Sequence, residues 1–213
     1  ADGDSDTATD SLDLGGNISF TDVGPSIISD GVTDGDAVTL TTSDTGTSDT
    51  ASFAGAFSFT GVQGADTATT AAVVYGLDLV GTPVLGLVAS GLQTSVGDTP
   101  IYLYQVDGTT IVGSTSAVAD GTGVTAGNTA FTLSVAANGE VTLNQDLALE
   151  HSDAEDGSLV TFDGSFTDDV LGLATGLVDV TASQTITDAD GDSDTATDSL
   201  DLGGNISFTD VGP

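Results

Sequence analysis

The chain has 213 residues, no lysine or arginine, 33 acidic side chains, one histidine and no cysteine, methionine or tryptophan, for a formal charge of −33. Without a cationic side chain it cannot neutralise phosphates or be drawn to an anionic bilayer, so nucleic acid and membrane surfaces are excluded as partners. Disulfides, thiolate metal sites and salt bridges, other than one involving His151, are excluded too.

The composition is nevertheless that of a folding chain. Hydrophobic residues make up 38%, and the mean hydropathy is +0.19, above the range of solvating acidic tails. An apolar content sufficient for a core, combined with an uncompensated negative charge, calls for a structural counter-ion. Ca²⁺ is the natural candidate because it prefers carboxylate and carbonyl oxygen. The sequence shows no initiator Met and no signal or transit peptide, so it reads as part of something longer.

Residues 1–25, ADGDSDTATDSLDLGGNISFTDVGP, recur without a difference as residues 189–213, a period of 188 residues (189 − 1). This identity predicts a tandem array in which residues 1–25 are the C-terminal tail of a preceding repeat and residues 26–213 form one complete module. Whether that module is one elongated sandwich or two smaller units, 26–65 and 66–213, is left open. Residues 26–65 are poor in decisive turns, and Asp44–Asp49 reads as a loop. The apolar run Ala71–Leu92 is interrupted by Asp78, Pro83 and glycines, so it predicts buried strands rather than a membrane span.

Further along, Asp107-Gly108 predicts a hairpin between Ile101–Val106 and Thr109–Val112. A second hairpin follows, in which Phe131, Leu133 and Val135 alternate with Thr132 and Ser134. Beyond it, Val141, Leu143, Leu147 and Leu149 alternate with Thr142, Asn144, Asp146 and Ala148. A three-residue loop, Ala137-Asn138-Gly139, sets Val135 opposite Val141 and Leu133 opposite Leu143, with Gly139 left-handed in a bulge. His151, on the face of Leu147 and Leu149, is expected to pack or turn rather than to serve a catalytic triad. Glu150, Asp153, Glu155 and Asp156 form an acidic loop that reads equally as a calcium site or as a solvated loop.

In the third hairpin, Val178, Val180, Ala182 and Ile186 share one face, and Ala196, Leu200 and Leu202 share the facing one. Pairing 186 with 196 and 180 with 202 centres the turn on Gly191. A short strand with Ile206 and Phe208 inward then leads to Asp210-Val-Gly-Pro. Many short antiparallel strands imply an all-β, antiparallel β-sandwich.

Asp188, Asp190, Asp192 and Asp194 crowd one tight turn. Unliganded, they repel; around Ca²⁺, they become ligands completed by carbonyls and water. The loop is not an EF-hand, because Gly191 falls at position four and Ser199 stands at position twelve. The first copy carries Asp2, Asp4 and Asp6 but has no counterpart of Asp188, so its site is expected to be weaker or incomplete. Asp22 and Asp210, each just ahead of a Gly-Pro, are expected to share an ion with a loop of the adjacent module, near Asp30 or Asp34. The Asn-Ile-Ser sequences at Asn17 and Asn205 read as strand starts rather than glycan sites. One histidine and no cysteine leave zinc and iron poorly served. The absence of tryptophan, with only Tyr75, Tyr102 and Tyr104, is thin provision for sugar stacking, so enzymatic glycan cleavage is disfavoured.

The stretch ITDADGDSDTATDSLDLGGNISFTDVGP resembles the end of repeat modules in giant RTX adhesins that Gram-negative bacteria export by type I secretion. Those modules close with a DGDGD-like turn, a Thr/Ala-rich strand, a glycine pair and an ISFxDDGP linker. AFTLSVAANGEVTLNQDLALEHSDAED is similar to their central hairpin and acidic loop. The likeness covers 66–213 well and 26–65 weakly, and Val211 stands where that family often has a second Asp. The glycine-rich nonapeptide of calcium β-rolls is absent, which points to an extender module. The resemblance implies a calcium-stabilised, bacterial Ig-like sandwich without enzymatic activity. Such a module binds several Ca²⁺ ions, has neighbouring identical modules as its partners, is monomeric when isolated, and lies outside the cell at the surface. A ligand-binding adhesin domain is the alternative; recurrence of the module argues against it, since a binding domain is expected once per array.

Overall fold

The computed structural model describes residues 2–33, 38–81, 87–151 and 170–210. Among these, the strands are β1 (Ser26–Val32), β2 (Leu40–Ser43), β3 (Ser48–Ser52), β4 (Phe57–Val62), β5 (Ala68–Thr70), β6 (Val74–Leu79), β7 (Val88–Gln93) and β8 (Pro100–Asp107). They continue as β9 (Thr110–Ser114), β10 (Thr129–Val135), β11 (Glu140–Gln145), β12 (Val170–Gly172), β13 (Val178–Asp188), β14 (Ser193–Asp201) and β15 (Ile206–Thr209). One 3-10 turn, Ala54–Ala56, precedes β4. No helix among the described residues is long and apolar enough to cross a membrane.

The protein is all-β. One sheet runs β3-β11-β10-β9-β8-β7, a second runs β14-β13-β5 with β6 also on β13, a third runs β12-β15-β2, and β1 pairs with β4. Every pairing is antiparallel except β15 with β2. The alternation of buried and exposed residues in β10, β11 and β13 is what a sheet with one face in the core requires. Phe131 of β10 and Phe208 of β15 meet across the core with ring centroids 5.2 Å apart. Leu40 and Phe53, from the N-terminal third, join Leu133, Leu143, Val180 and Leu202 in the main core. A smaller cluster of Ile27, Ile186 and Ala196, flanked by Phe59 and Ala68, seats β1 and β4 on the turn end of the β13–β14 hairpin.

The β10–β11 hairpin has the register that its hydrophobic pattern specifies, Leu133 opposite Leu143 and Val135 opposite Val141. Gly139 has φ +78°, and Gly139 N donates to Ala136 O at 2.9 Å, as a three-residue loop closed by a left-handed glycine demands. The β8–β9 hairpin also forms, but Asp107 pairs with Thr110, so its two-residue loop is Gly108-Thr109, one residue later than expected.

The β13–β14 register differs from the sequence expectation. Ile186 faces Asp194 and Val180 faces Leu200, which centres the turn on Asp190 rather than Gly191. The two-residue shift keeps every side chain on its expected face. Its cause is the rule that governs Gly139: Ala189-Asp190-Gly191 is a three-residue loop, Asp188 N donates to Asp192 O at 3.0 Å, and Gly191 at φ +105° takes the third position.

The two 25-residue copies do not share a fate. Residues 189–210 supply the β13–β14 turn, β14 and β15, whereas residues 2–24 are exposed throughout and form no strand. In the second copy β14 has β13 as its ladder partner, whereas no strand among the described residues pairs with residues 2–24. A strand sequence without a ladder partner has nowhere to place its backbone hydrogen bonds or its apolar face.

Two glycines separate backbone strain from packing. At Gly139 a Cβ would lie 2.9 Å from Ala54 Cβ and 3.0 Å from Tyr75 Cζ, whereas at Gly191 it would meet nothing within 4 Å. Gly191→Ala is expected to cost roughly the left-handed penalty of about 1–2 kcal/mol. Gly139→Ala is expected to cost more, read as a lower denaturant midpoint at unchanged slope.

Candidate metal centre

The β13–β14 loop gathers carboxylates because its ends are ladder partners. Asp188 is the last residue of β13, Asp190 sits at the loop apex, and Asp192 returns the chain to β14. Asp188 Oδ1 accepts hydrogen bonds from Gly191 N (3.1 Å) and Asp192 N (2.9 Å), an Asx turn that fixes the loop.

The fourth member comes from the far end of the chain. Ala65 N donates to Val23 O at 2.8 Å. Gly64 leaves the room for this contact, since a Cβ there would lie 1.9 Å from Val23 O. Gly24 is close to Asp192, where a Cβ on the glycine would stand 3.5 Å from the carboxylate. Held at these points, the linker delivers Asp22, and one oxygen from each of Asp22, Asp188, Asp190 and Asp192 lies within 4.8 Å of the others.

Three of these carboxylates are exposed, but Asp188 is only 7% exposed. Its Oδ2 is buried and has no hydrogen-bond partner. A buried carboxylate oxygen without a donor is costly, and here it borders three further anions. Hydrogen bonding between the Asp188 and Asp190 carboxyls once one of them is protonated holds Asp188 below the usual carboxylate range and pushes Asp190 above it, with burial and the Asp188 charge adding to the upward push. An all-oxygen, anionic donor set of this kind could hold a hard cation.

The other sequence candidates lie elsewhere. Asp194, opposite Ile186, accepts Ile27 N at 2.9 Å through Oδ2 and Thr195 N at 2.9 Å through Oδ1, so it clamps β1 to β14 outside the cluster. Asp2, Asp4 and Asp6 are exposed in the strandless first copy, and Asp210 is half-buried after β15. None of these four belongs to a metal-holding group among the described residues. Asp22 meets the Asp188–Asp192 turn instead of Asp30, which accepts the hydroxyls of Ser58 (3.1 Å) and Thr60 (2.8 Å). Asp34, Asp153, Glu155 and Asp156 lie outside the described residues, and Glu150 is exposed. His151 is buried, its Nε2 3.7 Å from Asp44 Oδ1. Asp44, which the sequence placed in a loop, also accepts Gln145 Nε2 at 2.9 Å and Leu149 N at 3.0 Å. The convergence of Asp22 on a turn 166 residues away (188 − 22) has no local signal in the sequence.

A family model described as "Domain of unknown function (DUF5801)" matches residues 37–203. The chain belongs to the DUF5801 family. No curated protein and no solved structure matches it. In this DUF5801 chain the matched span contains Asp188, Asp190 and Asp192 but not Asp22, which therefore reaches the centre from outside the span that defines the family.

A second row of acids has a different character. Asp78, Asp179 and Asp201 stand side by side across β6, β13 and β14. Burial, opposed by a hydrogen bond from Ser199 and reinforced by the charges of Asp201 and Asp78, raises the Asp179 carboxyl above its ordinary value. A folded-state value above the unfolded one means that stability is greatest below the unfolded value and falls as pH rises through the folded one. Asp179→Asn is therefore expected to raise the melting temperature at neutral pH. That gain should vanish as the pH is lowered through the Asp179 titration, as thermal melts across a pH series would show.

Proposed function

We propose that this chain is a structural repeat module of a large bacterial surface adhesin, a non-enzymatic spacer stiffened by Ca²⁺. The observation that carries the reading is the union of a linker carboxylate, Asp22, with the turn carboxylates Asp188, Asp190 and Asp192, one of which, Asp188, has a buried oxygen without a donor. Asp22 and Asp210 are the same residue of the repeat, 188 positions apart (210 − 22). In a tandem array Asp210 would then stand to the next module as Asp22 stands to this one, and each joint would hold an ion drawn from both of its sides. Several ions per chain follow from several joints.

A spacer needs no deep binding site. A cavity of about 280 Å³ beside β7 is lined by Thr94, Ser95, Thr99 and Thr115 together with Val96, Leu147 and Ala148. No ionisable side chain is among its lining residues, so it offers nothing for acid–base chemistry. The resemblance to RTX adhesin modules agrees with an extracellular location, where calcium is abundant and could replace the disulfide staple that a chain without cysteine lacks. With an affinity of about 10⁻⁴ M, usual for extracellular modules, a hundredfold excess of Ca²⁺ stabilises the fold by about 2.7 kcal/mol per site.

Calorimetric titration of the full chain with Ca²⁺ tests the reading. Binding with a rise in melting temperature is expected, and Asp190→Asn and Asp22→Asn should each weaken it about tenfold, or about 1.4 kcal/mol. Gly64→Ala should weaken it similarly by unseating the linker, while joint substitution of Asp2, Asp4 and Asp6 by Asn should leave this site unchanged. Titration curves indifferent to Asp22 and Asp190 would refute the assignment.

A further inference from the structure

We infer that Thr42 and Gln145 form an intramolecular ester, a covalent staple made by the chain's own buried side chains with release of ammonia. The chain has neither cysteine nor lysine, so disulfides and lysine amide cross-links are closed to it, whereas a hydroxyl and a carboxamide can still be joined. Among the described residues, the buried side-chain atoms without a hydrogen-bond partner are Asp188 Oδ2, Thr42 Oγ1, Gln145 Oε1 and both ring nitrogens of His151. All but the first gather in one place. Gln145 and His151 both meet Asp44, and Thr42 stands two residues before it. Folded proteins leave few such atoms unpaired, so a cluster of them calls for an explanation.

The two reacting residues flank one aromatic contact. Thr42 is the ladder neighbour of Phe208, Gln145 is that of Phe131, and the two rings meet at 5.2 Å. Thr42 is 1% and Gln145 2% exposed, so water that would hydrolyse the product is kept out. Asp44 Oδ1 accepts Gln145 Nε2 at 2.9 Å, and Leu147 O accepts the same nitrogen at 3.1 Å. Those bonds use both amide hydrogens and fix the carboxamide. His151 Nε2 stands 3.7 Å from the same Asp44 oxygen, too far for a hydrogen bond, which leaves the imidazole uncommitted.

Thr42 Oγ1 attacks Gln145 Cδ, and His151 takes the hydroxyl proton as general base. The Asp44 carboxylate stabilises the positive charge that the amide nitrogen acquires as it receives that proton. The C–N bond then breaks and ammonia departs. One C–O bond has replaced one C–N bond, the proton has left on nitrogen, and the step balances without a further reagent. The ester ties β2 to β11 across 103 positions (145 − 42), and a closed loop of that length constrains the unfolded chain strongly. It shares no residue with the Asp22–Asp188 centre, so failure of either proposal leaves the other standing.

Intact-mass spectrometry of the folded full chain is the test. The expected mass lies about 17 Da, one ammonia, below that of the sequence. Digestion with an aspartate-directed protease should yield a peptide pair joined through Thr42 and Gln145, which alkali should separate. Thr42→Val should abolish the loss and Thr42→Ser should retain it. His151→Ala should slow its appearance after refolding by about a hundredfold, with circular dichroism showing that each variant folds. The full sequence mass in the folded wild-type chain would overturn the inference, whether or not the variants fold. So would a loss that survives Thr42→Val, or one that maps to Asn138-Gly139, where succinimide formation releases the same ammonia.

Discussion

A polyanion with no side-chain cation folds only if its carboxylates find other positive partners, and in this protein those partners are backbone N–H groups and hydroxyls. Of the 33 acidic residues, three are Glu (140, 150 and 155), which leaves 30 Asp. The shorter side chain is the one that reaches its own backbone one or two residues on. Asp107 and Asp120 do so at Thr109 and Thr122, and these bonds hold both carboxyls below the ordinary range. Other aspartates use the same chemistry over long distances. Asp194 accepts Ile27 N, Asp44 accepts Leu149 N, and Asp201 accepts Gly176 N, so the acids tie segments together instead of merely decorating the surface. Ser29 donates to Asp198 beside the first of these ties, adding a second link between β1 and β14. Charge-assisted bonds of this type are among the stronger ones available without ion pairs.

Two places exhaust that supply. Across β6, β13 and β14, the acids Asp78, Asp179 and Asp201 lie in one row, and partial burial of the middle one raises its cost of ionisation. Neighbouring strand residues stand side by side on one face, so the row remains a line of carboxyls without a common focus. At the β13–β14 loop the geometry converges instead. The Asx turn commits one oxygen of Asp188 to Gly191 N and Asp192 N and leaves the other buried and unpaired, in a carboxyl that clusters with those of Asp22, Asp190 and Asp192. Without a cation the nearest remedy is a proton shared by Asp188 and Asp190, which neutralises one charge of four. A divalent cation would neutralise two and satisfy the orphan oxygen as well.

The two copies of one 25-residue sequence separate what is local from what is tertiary. The Leu-Gly-Gly-Asn turn and the aspartate-to-glycine bonds form in both, because they depend only on residues a few positions apart. Strands form only in the second copy, where β14 pairs with β13 and β15 with β12 and β2. The same division governs legibility in the sequence. Faces of strands were readable from alternation, as Leu133, Leu143, Val180 and Phe208 attest. The loop register was readable wherever the left-handed glycine was placed in the third loop position. Ala137-Asn138-Gly139 follows that rule in the expected register, and Ala189-Asp190-Gly191 follows it against a register centred on its glycine. The turn carboxylates of the candidate centre were evident as a cluster. Asp22 was recognisable as a linker acid, but its destination was not, because Gly64 and Ala65, which seat it, carry no chemistry of their own.

On the proposed reading, the linker and the turn are coupled through the ion they share. An ion that binds the turn more tightly when Asp22 is docked must, by linkage, dock Asp22 more tightly when it is bound. Removing it leaves four carboxylates within 4.8 Å of one another, a repulsion that opposes the seat made by Gly64 and Ala65. The same residues would then act as a fastener with the ion and as a wedge without it. This gives a physical reason for placing the acid in the linker, outside the span that defines the family. In a tandem array of such modules the angle between neighbours would depend on this linker, and a charge placed there would make that angle, as well as the fold, responsive to the surrounding cation concentration.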